Sequence, residues 1–193
     1  YARSEYKWPL TKKIIRRINR GNDASNYFQQ YNRWSVDGTI SPGPVRTWGN
    51  PKFMYTLLGS LFTLEVEKVD RGTLRSCIGL RKYICSQFKP NVAKSIYDMF
   101  KAENILDFSM GWGDRLAGFY ASDYGKHYVG IDPRKENHPI YNEQSEFYEK
   151  HLGFFEHERK SEFHCSPAEE FDFSQYDLEK NLYFFQSNFL LVW

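Results

Sequence analysis

Two short apolar runs that each end in aspartate constrain this chain more than any other feature. Ile105-Leu106 closes on Asp107, and Tyr128-Val129-Gly130-Ile131 closes on Asp132, 25 residues further on. Between them stand a glycine turn holding Gly111 and Gly113, then Leu116, Ala117 and Phe119 at helical spacing. Apolar runs this short, separated by a helix, predict two parallel strands joined by a crossover. A long acidic helix is expected from about Tyr141 to Leu152, then a third strand over 161–165 and a fourth near 183–185 or 189–193. Strands alternating with helices give an α/β fold with a parallel, doubly wound sheet.

The chain before this sheet has a different texture. Residues 1–88 predict a mostly helical region, and residues 89–193 the sheet domain, with the boundary between Gln87 and Asn104. Pro9 can start a first helix with Leu10, Ile14, Ile15 and Ile18 on one side, closed by Gly21. A second helix is expected from Asp23 or Ser25, carrying Tyr27, Phe28, Tyr31 and Trp34. Residues 37–51 hold six glycines and prolines, which predicts a loop. Helices are expected again over 52–64, 73–88 and 91–100.

Charge follows the same division. The net charge of +2 hides 16 Lys+Arg against 6 Asp+Glu in residues 1–90 and 10 against 18 in the rest, so +10 sits beside −8. A cationic half is a recognised hint of a polyanion partner. Lys12, Lys13, Arg16, Arg17, Arg20 and Arg46, interleaved with Trp8, Trp34 and Trp48, make a candidate DNA-binding surface. Solvated helix faces over buried tryptophans are the plain alternative. With 41% hydrophobic residues the chain can build a core, and no apolar stretch approaches the roughly 20 residues of a membrane helix. It opens on Tyr1 rather than Met, so Tyr1 is expected not to be the native start. Cys77, Cys85 and Cys165 form no CxxC pair, which suits a reducing, cytoplasmic setting, and no metal site is expected.

The chemistry concentrates at the glycine turn. Gly111 and Gly113 let a ligand approach the main chain, and Asp132 can accept both hydroxyls of a ribose. A dinucleotide fingerprint requires glycine at position 116, which is Leu116. A diphosphate would also be repelled by Asp107, whereas a cationic cofactor with an amine and no phosphate would be tolerated. S-adenosylmethionine fits that description and NAD does not. A plain glycine turn in an ordinary α/β domain is the alternative.

The stretch from Asp107 to Gly113, the continuation Gly-Trp-Gly-Asp-Arg-Leu over 111–116, and Gly130-Ile131-Asp132-Pro133 resemble the cofactor motifs of S-adenosylmethionine-dependent methyltransferases. The closest likeness is to the DNA amino-methyltransferases of phages and restriction systems, which act on the exocyclic amine of adenine or cytosine. The resemblance covers about residues 73–177 and implies a partial Rossmann-like methyltransferase sheet. It implies that Asp107 holds the cofactor amine, with Phe108 and Ser109 beside it. Gly111 and Gly113 would admit the methionine portion, and Asp132 with Pro133 would bind the ribose. Lys89 and Pro90, in Phe88-Lys89-Pro90-Asn91, would flank the carboxylate end, and Ser166 and Ala168 would sit by the adenine.

One departure concerns catalysis. These enzymes follow the fourth strand with a polar residue, two prolines and an aromatic that grip the flipped base. Here Tyr176-Asp177-Leu178 runs into 179–188 without them, and no Pro-Pro follows Pro167. Only 87 residues follow Leu106. The chain is therefore expected to be truncated or frameshifted and inactive alone, with no assignable catalytic residue. Two other readings stay open: a non-catalytic nucleic-acid-binding module on the same scaffold, and a methyltransferase for RNA or a small molecule.

Overall fold

The structure is a computed structural model that describes residues 21–38, 40–151 and 158–176, with the backbone alone of 5–7, 14–16 and 182–184. In chain order the elements are β1 (Glu5–Lys7), β2 (Ile14–Arg16), α1 (Asp23–Ser35), α2 (Pro44–Trp48), α3 (Pro51–Thr63), α4 (Arg71–Arg81) and α5 (Pro90–Phe100). There follow β3 (Asn104–Asp107), α6 (Asp114–Tyr120), β4 (His127–Ile131), α7 (His138–His151), β5 (Lys160–His164) and β6 (Leu182–Phe184). Single 3-10 turns lie at Lys135–Asn137, Ala168–Glu170 and Phe173–Gln175. The chain divides into two compact units, one of Tyr1–Gln29 with Gln87–Trp193, the other Gln30–Ser86. Composition pointed to one boundary near residue 88. The units meet along the chain at two points, and α1 runs through the first of them.

The sheet unit carries four parallel strands in the order β5-β4-β3-β6. This makes the fold α/β, with a parallel sheet and flanking helices. Side chains alternate along β3 and β4, so these two strands feed two cores. Ile105 and Tyr128 face one way, against Ala93 and Tyr97 of α5, Leu116 and Phe119 of α6, and Tyr141 of α7. Leu106, Val129 and Ile131 face the other way, against Phe108, Phe171, Phe173 and Tyr176. Strand order reverses at β3: β4 lies on one side and β6 on the other. In open parallel sheets, the crevice beyond the carboxyl end of such a strand is where ligands settle.

Arg159 fixes the far end of α6. Its guanidinium donates to the carbonyls of Phe119 (2.7 Å), Tyr120 (2.8 Å) and Ser122 (2.9 Å), at and just beyond the C-terminal end of the helix, where cations are favoured.

The helical unit is a smaller assembly in which Leu57, Cys77 and Tyr83 are packed by Met54, Leu61, Leu64 and Ile78. The Asn50 side chain caps α3 by accepting from the Lys52 amide (3.0 Å). Asp70 and Thr73 form a reciprocal capping box on α4. Many apolar side chains of this unit stay in water, among them Trp48, Tyr55 and Phe62.

Three sequence expectations need correction. Residues 14–16, expected in a helix, form strand β2, with Ile15 opposite Tyr6 of β1; two adjacent β-branched isoleucines favour that choice. The loop expected over 37–51 contains α2, because Pro44 occupies its first turn, where the missing N–H costs nothing. The helix expected over 73–88 stops at Arg81, where Lys82 turns left-handed at φ 55° and sends Tyr83 into the core. Leu80, near the end of that helix, is exposed, and Phe88 packs in the sheet unit's core.

Candidate functional site

Strands β3 and β4 run in register with Asp107 opposite Gly130, so Asp107 and Asp132 come to the same edge of the sheet. The turn between β3 and α6 folds back over β4, with the Met110 amide donating to the Ile131 carbonyl (3.2 Å). Gly111 and Gly113 have φ of +62° and +76°, a region that side-chain-bearing residues rarely enter. A side chain at Gly113 would also run into the Gln144 carboxamide.

The two strand-end acids have different surroundings. Asp107 is fully buried. Its Oδ2 accepts from Arg115 Nε (2.7 Å) and from the Tyr128 hydroxyl (2.6 Å), while Oδ1 accepts from the Ser109 amide (3.1 Å). The pair is almost dry on both sides, with Arg115 5% exposed as a side chain. The nearby acid drives the Arg115 pKa up, although burial acts against it. Burial, reinforced by Asp107, holds the Tyr128 hydroxyl well above the usual phenol range. Asp132 meets no cationic side chain within ion-pair distance among the described residues. Its oxygens accept from two main-chain amides, Gly111 (Oδ2, 2.9 Å) and Arg134 (Oδ1, 2.9 Å). Desolvation pushes its pKa up, and these two amides partly offset the shift.

The remaining expected ligand residues fall around this edge or behind it. Lys89 is the N-cap and Pro90 the first residue of α5. The segment before them reaches the start of α6: the Gln87 side-chain amide lies 3.3 Å from Asp114, and the Arg115 guanidinium sits 5.2 Å over the Phe88 ring. Phe108 packs on the opposite face of the sheet. Pro133 is exposed, and Cys165 Sγ approaches its carbonyl (3.8 Å), which brings the end of β5, and with it Ser166 and Ala168, to the end of β4. Of the expected DNA-contacting cations, Lys12, Lys13, Arg17 and Arg20 lie outside the described residues, and Arg16 is described by its backbone alone. Arg46 is exposed on α2 and pairs with Asp37 at 2.9 Å. The Gly43 amide and Arg46 hold the Asp37 carboxyl below its usual range. The expected fourth-strand continuation over 177–188 lies outside the described residues except for β6.

Sequence reasoning missed the residues that hold this site together. Arg115 stood inside the quoted glycine-turn motif without a role. Asn137, Tyr141 and Gln144 went unnoticed, although their spacing of four and three puts a carboxamide, a phenol and a carboxamide on one helical face. All three are buried and point at the turn.

A cleft of about 460 Å³ lies at the other end of β4 and β5, lined by Lys126, His127, Glu158, Lys160 and Glu162. Two of its lining residues pair with neighbours, Lys126 with Glu103 and His127 with Glu162, both at 2.9 Å. It is open and remote from the glycine turn, so its size does not make it the better candidate. Among the described residues no three His, Cys, Asp or Glu side chains cluster as metal ligands, and no helix is long and apolar enough to cross a membrane. Searches of protein-family models, of curated proteins and of solved structures find no match to this chain.

Proposed function

We propose that the sheet unit binds S-adenosylmethionine on a Rossmann-like methyltransferase sheet. The methyl group would go to an exocyclic amine of a DNA base, by a protein of which this chain supplies the cofactor-binding part. The observation that carries the reading is the Gly111–Asp132 link: a left-handed glycine whose amide is tied to the acid ending the next strand, at the point where strand order reverses. Each Asp132 oxygen keeps a lone pair beyond its one main-chain amide, and a vicinal diol supplies two donors for them. Asp132 is thus the acid assigned to the ribose. Asp107, which the resemblance gives to the cofactor amine, is spent on Arg115, Tyr128 and the Ser109 amide and instead anchors α6 under the turn.

The DNA part of the reading draws support from α4. This helix contains no acid, and its exposed Arg71 and Arg75, with Lys82 just beyond its end, have no carboxylate partner among the described residues. Backbone phosphates are suited to such a face, and binding there should weaken steeply with salt. The test of the central reading is calorimetric titration of the chain with S-adenosylhomocysteine. Saturable heat at one site is expected, and none would overturn the reading. Salt-dependent DNA binding without any cofactor heat would point instead to the nucleic-acid module.

A further inference from the structure

The glycine turn is gripped from beneath by one face of the 3-10 turn and α7. The Gly111 carbonyl accepts from Asn137 Nδ2 (3.1 Å) and from the Tyr141 hydroxyl. The Gly113 carbonyl accepts from Gln144 Nε2 (3.0 Å) and from the Ala117 amide in the first turn of α6 (3.0 Å). A carbonyl oxygen has two lone pairs, so both glycine carbonyls are saturated from within the molecule. The three side chains involved are all but inaccessible, Asn137 at 1% and Tyr141 and Gln144 at 0% exposure, so solvent does not compete for these bonds. The Gly111 amide is already committed to Asp132. The turn therefore offers a bound molecule no acceptor at either glycine carbonyl, whereas Asp132 keeps lone pairs beside it.

We propose that Asn137, Tyr141 and Gln144 are positioning residues that make the turn a seat for the donor-free part of a ligand, while the ligand's ribose hydroxyls are received at Asp132. This rests on the S-adenosylmethionine reading and refines it. The thioether chain of the cofactor lies over Gly111 and Gly113, and its α-amine gains nothing from them. A donor seated over a saturated carbonyl would lose its water partner without replacement.

The test compares S-adenosylhomocysteine with its deamino analogue, in which hydrogen replaces the α-amine. Both are titrated against the wild-type chain and Tyr141→Phe, which vacates one lone pair on Gly111. The wild type should bind the two ligands within about threefold of each other, and Tyr141→Phe should shift the ratio toward the amine-bearing ligand by roughly threefold or more. A wild-type preference for the amine above about tenfold, or a ratio unmoved by the variant, overturns the proposal. Gln144→Met vacates a lone pair on Gly113 and repeats the comparison should Tyr141→Phe fail to fold. If neither ligand binds the wild type, the cofactor reading has failed, and amide exchange at Gly111 then judges the clamp by itself. Exchange should be slow in the wild type and roughly tenfold or more faster in Tyr141→Phe at unchanged global stability. Equal exchange in the two proteins overturns the clamp.

Discussion

Asp107 and Asp132 end neighbouring parallel strands, in register and on one edge of the sheet, yet their carboxylates meet opposite surroundings. Around Asp107 the chain has gathered a guanidinium, a phenol and an amide, and has removed the group from water altogether. Around Asp132 it has placed two main-chain amides and left 7% of the residue exposed. A fully buried carboxylate paired with a guanidinium and two further donors is a structural fastener, because opening it exposes an uncompensated charge. One held by amides alone keeps acceptor capacity at a surface a ligand can reach. The same residue type at equivalent ends of adjacent strands is thus given two roles by what surrounds it.

Breaking the fastener should produce the largest effect. Arg115→Met leaves Asp107 buried without its cation and is expected to lower stability by about 3 to 5 kcal/mol in urea unfolding. Adding Asp107→Asn should recover part of that loss, and a single variant as stable as wild type would break the comparison. Tyr128→Phe removes one charge-assisted hydrogen bond to the same carboxylate, and about 1.5 to 3 kcal/mol should be lost in the same assay.

The acid on the other strand is expected to show itself through pH. The Asp132 pKa is raised in the folded state above its ordinary 3.8, so the folded chain holds that proton more tightly than the unfolded chain. Its contribution to stability is therefore most favourable below 3.8 and falls as pH rises through the raised folded value. Urea midpoints measured from below 3.8 to neutrality should show that fall in the wild type and lack it in Asp132→Asn. Identical pH slopes would contradict the desolvated placement. The smallest effect is expected at the exposed Arg46–Asp37 pair of the helical unit, with side chains 60% and 41% exposed. Arg46→Ala should move the urea midpoint only slightly, and less at high salt. A loss as large as that of Arg115→Met would erase the distinction between buried and exposed pairing.

Much of the sheet was legible because its strands announce themselves locally. The apolar runs at 105–106 and 128–131, the glycines between them and the closing aspartates need no distant partner to be recognised. The short β2 reads as a helix in the sequence because Ile14, Ile15 and Ile18 also fit a helical stripe, and only the pairing with β1 decides. At the candidate site, the sequence located Asp107, Gly111, Gly113 and Asp132 but could not separate the two acids. That separation depends on Tyr128 arriving from the next strand and Arg115 from the helix after the turn. The α7 clamp was hidden for the same reason. A polar face at helical spacing reads as solvated until the fold shows that it points inward.

Which of the two acids meets the ligand separates their roles most directly. Calorimetric titration with S-adenosylhomocysteine should show Asp132→Asn losing affinity by roughly tenfold or more, about 1.4 kcal/mol, while remaining folded. That loss is expected because the exchanged carboxamide has a single acceptor oxygen where the carboxylate has two. A folded Asp132→Asn that binds S-adenosylhomocysteine as tightly as the wild type would contradict it.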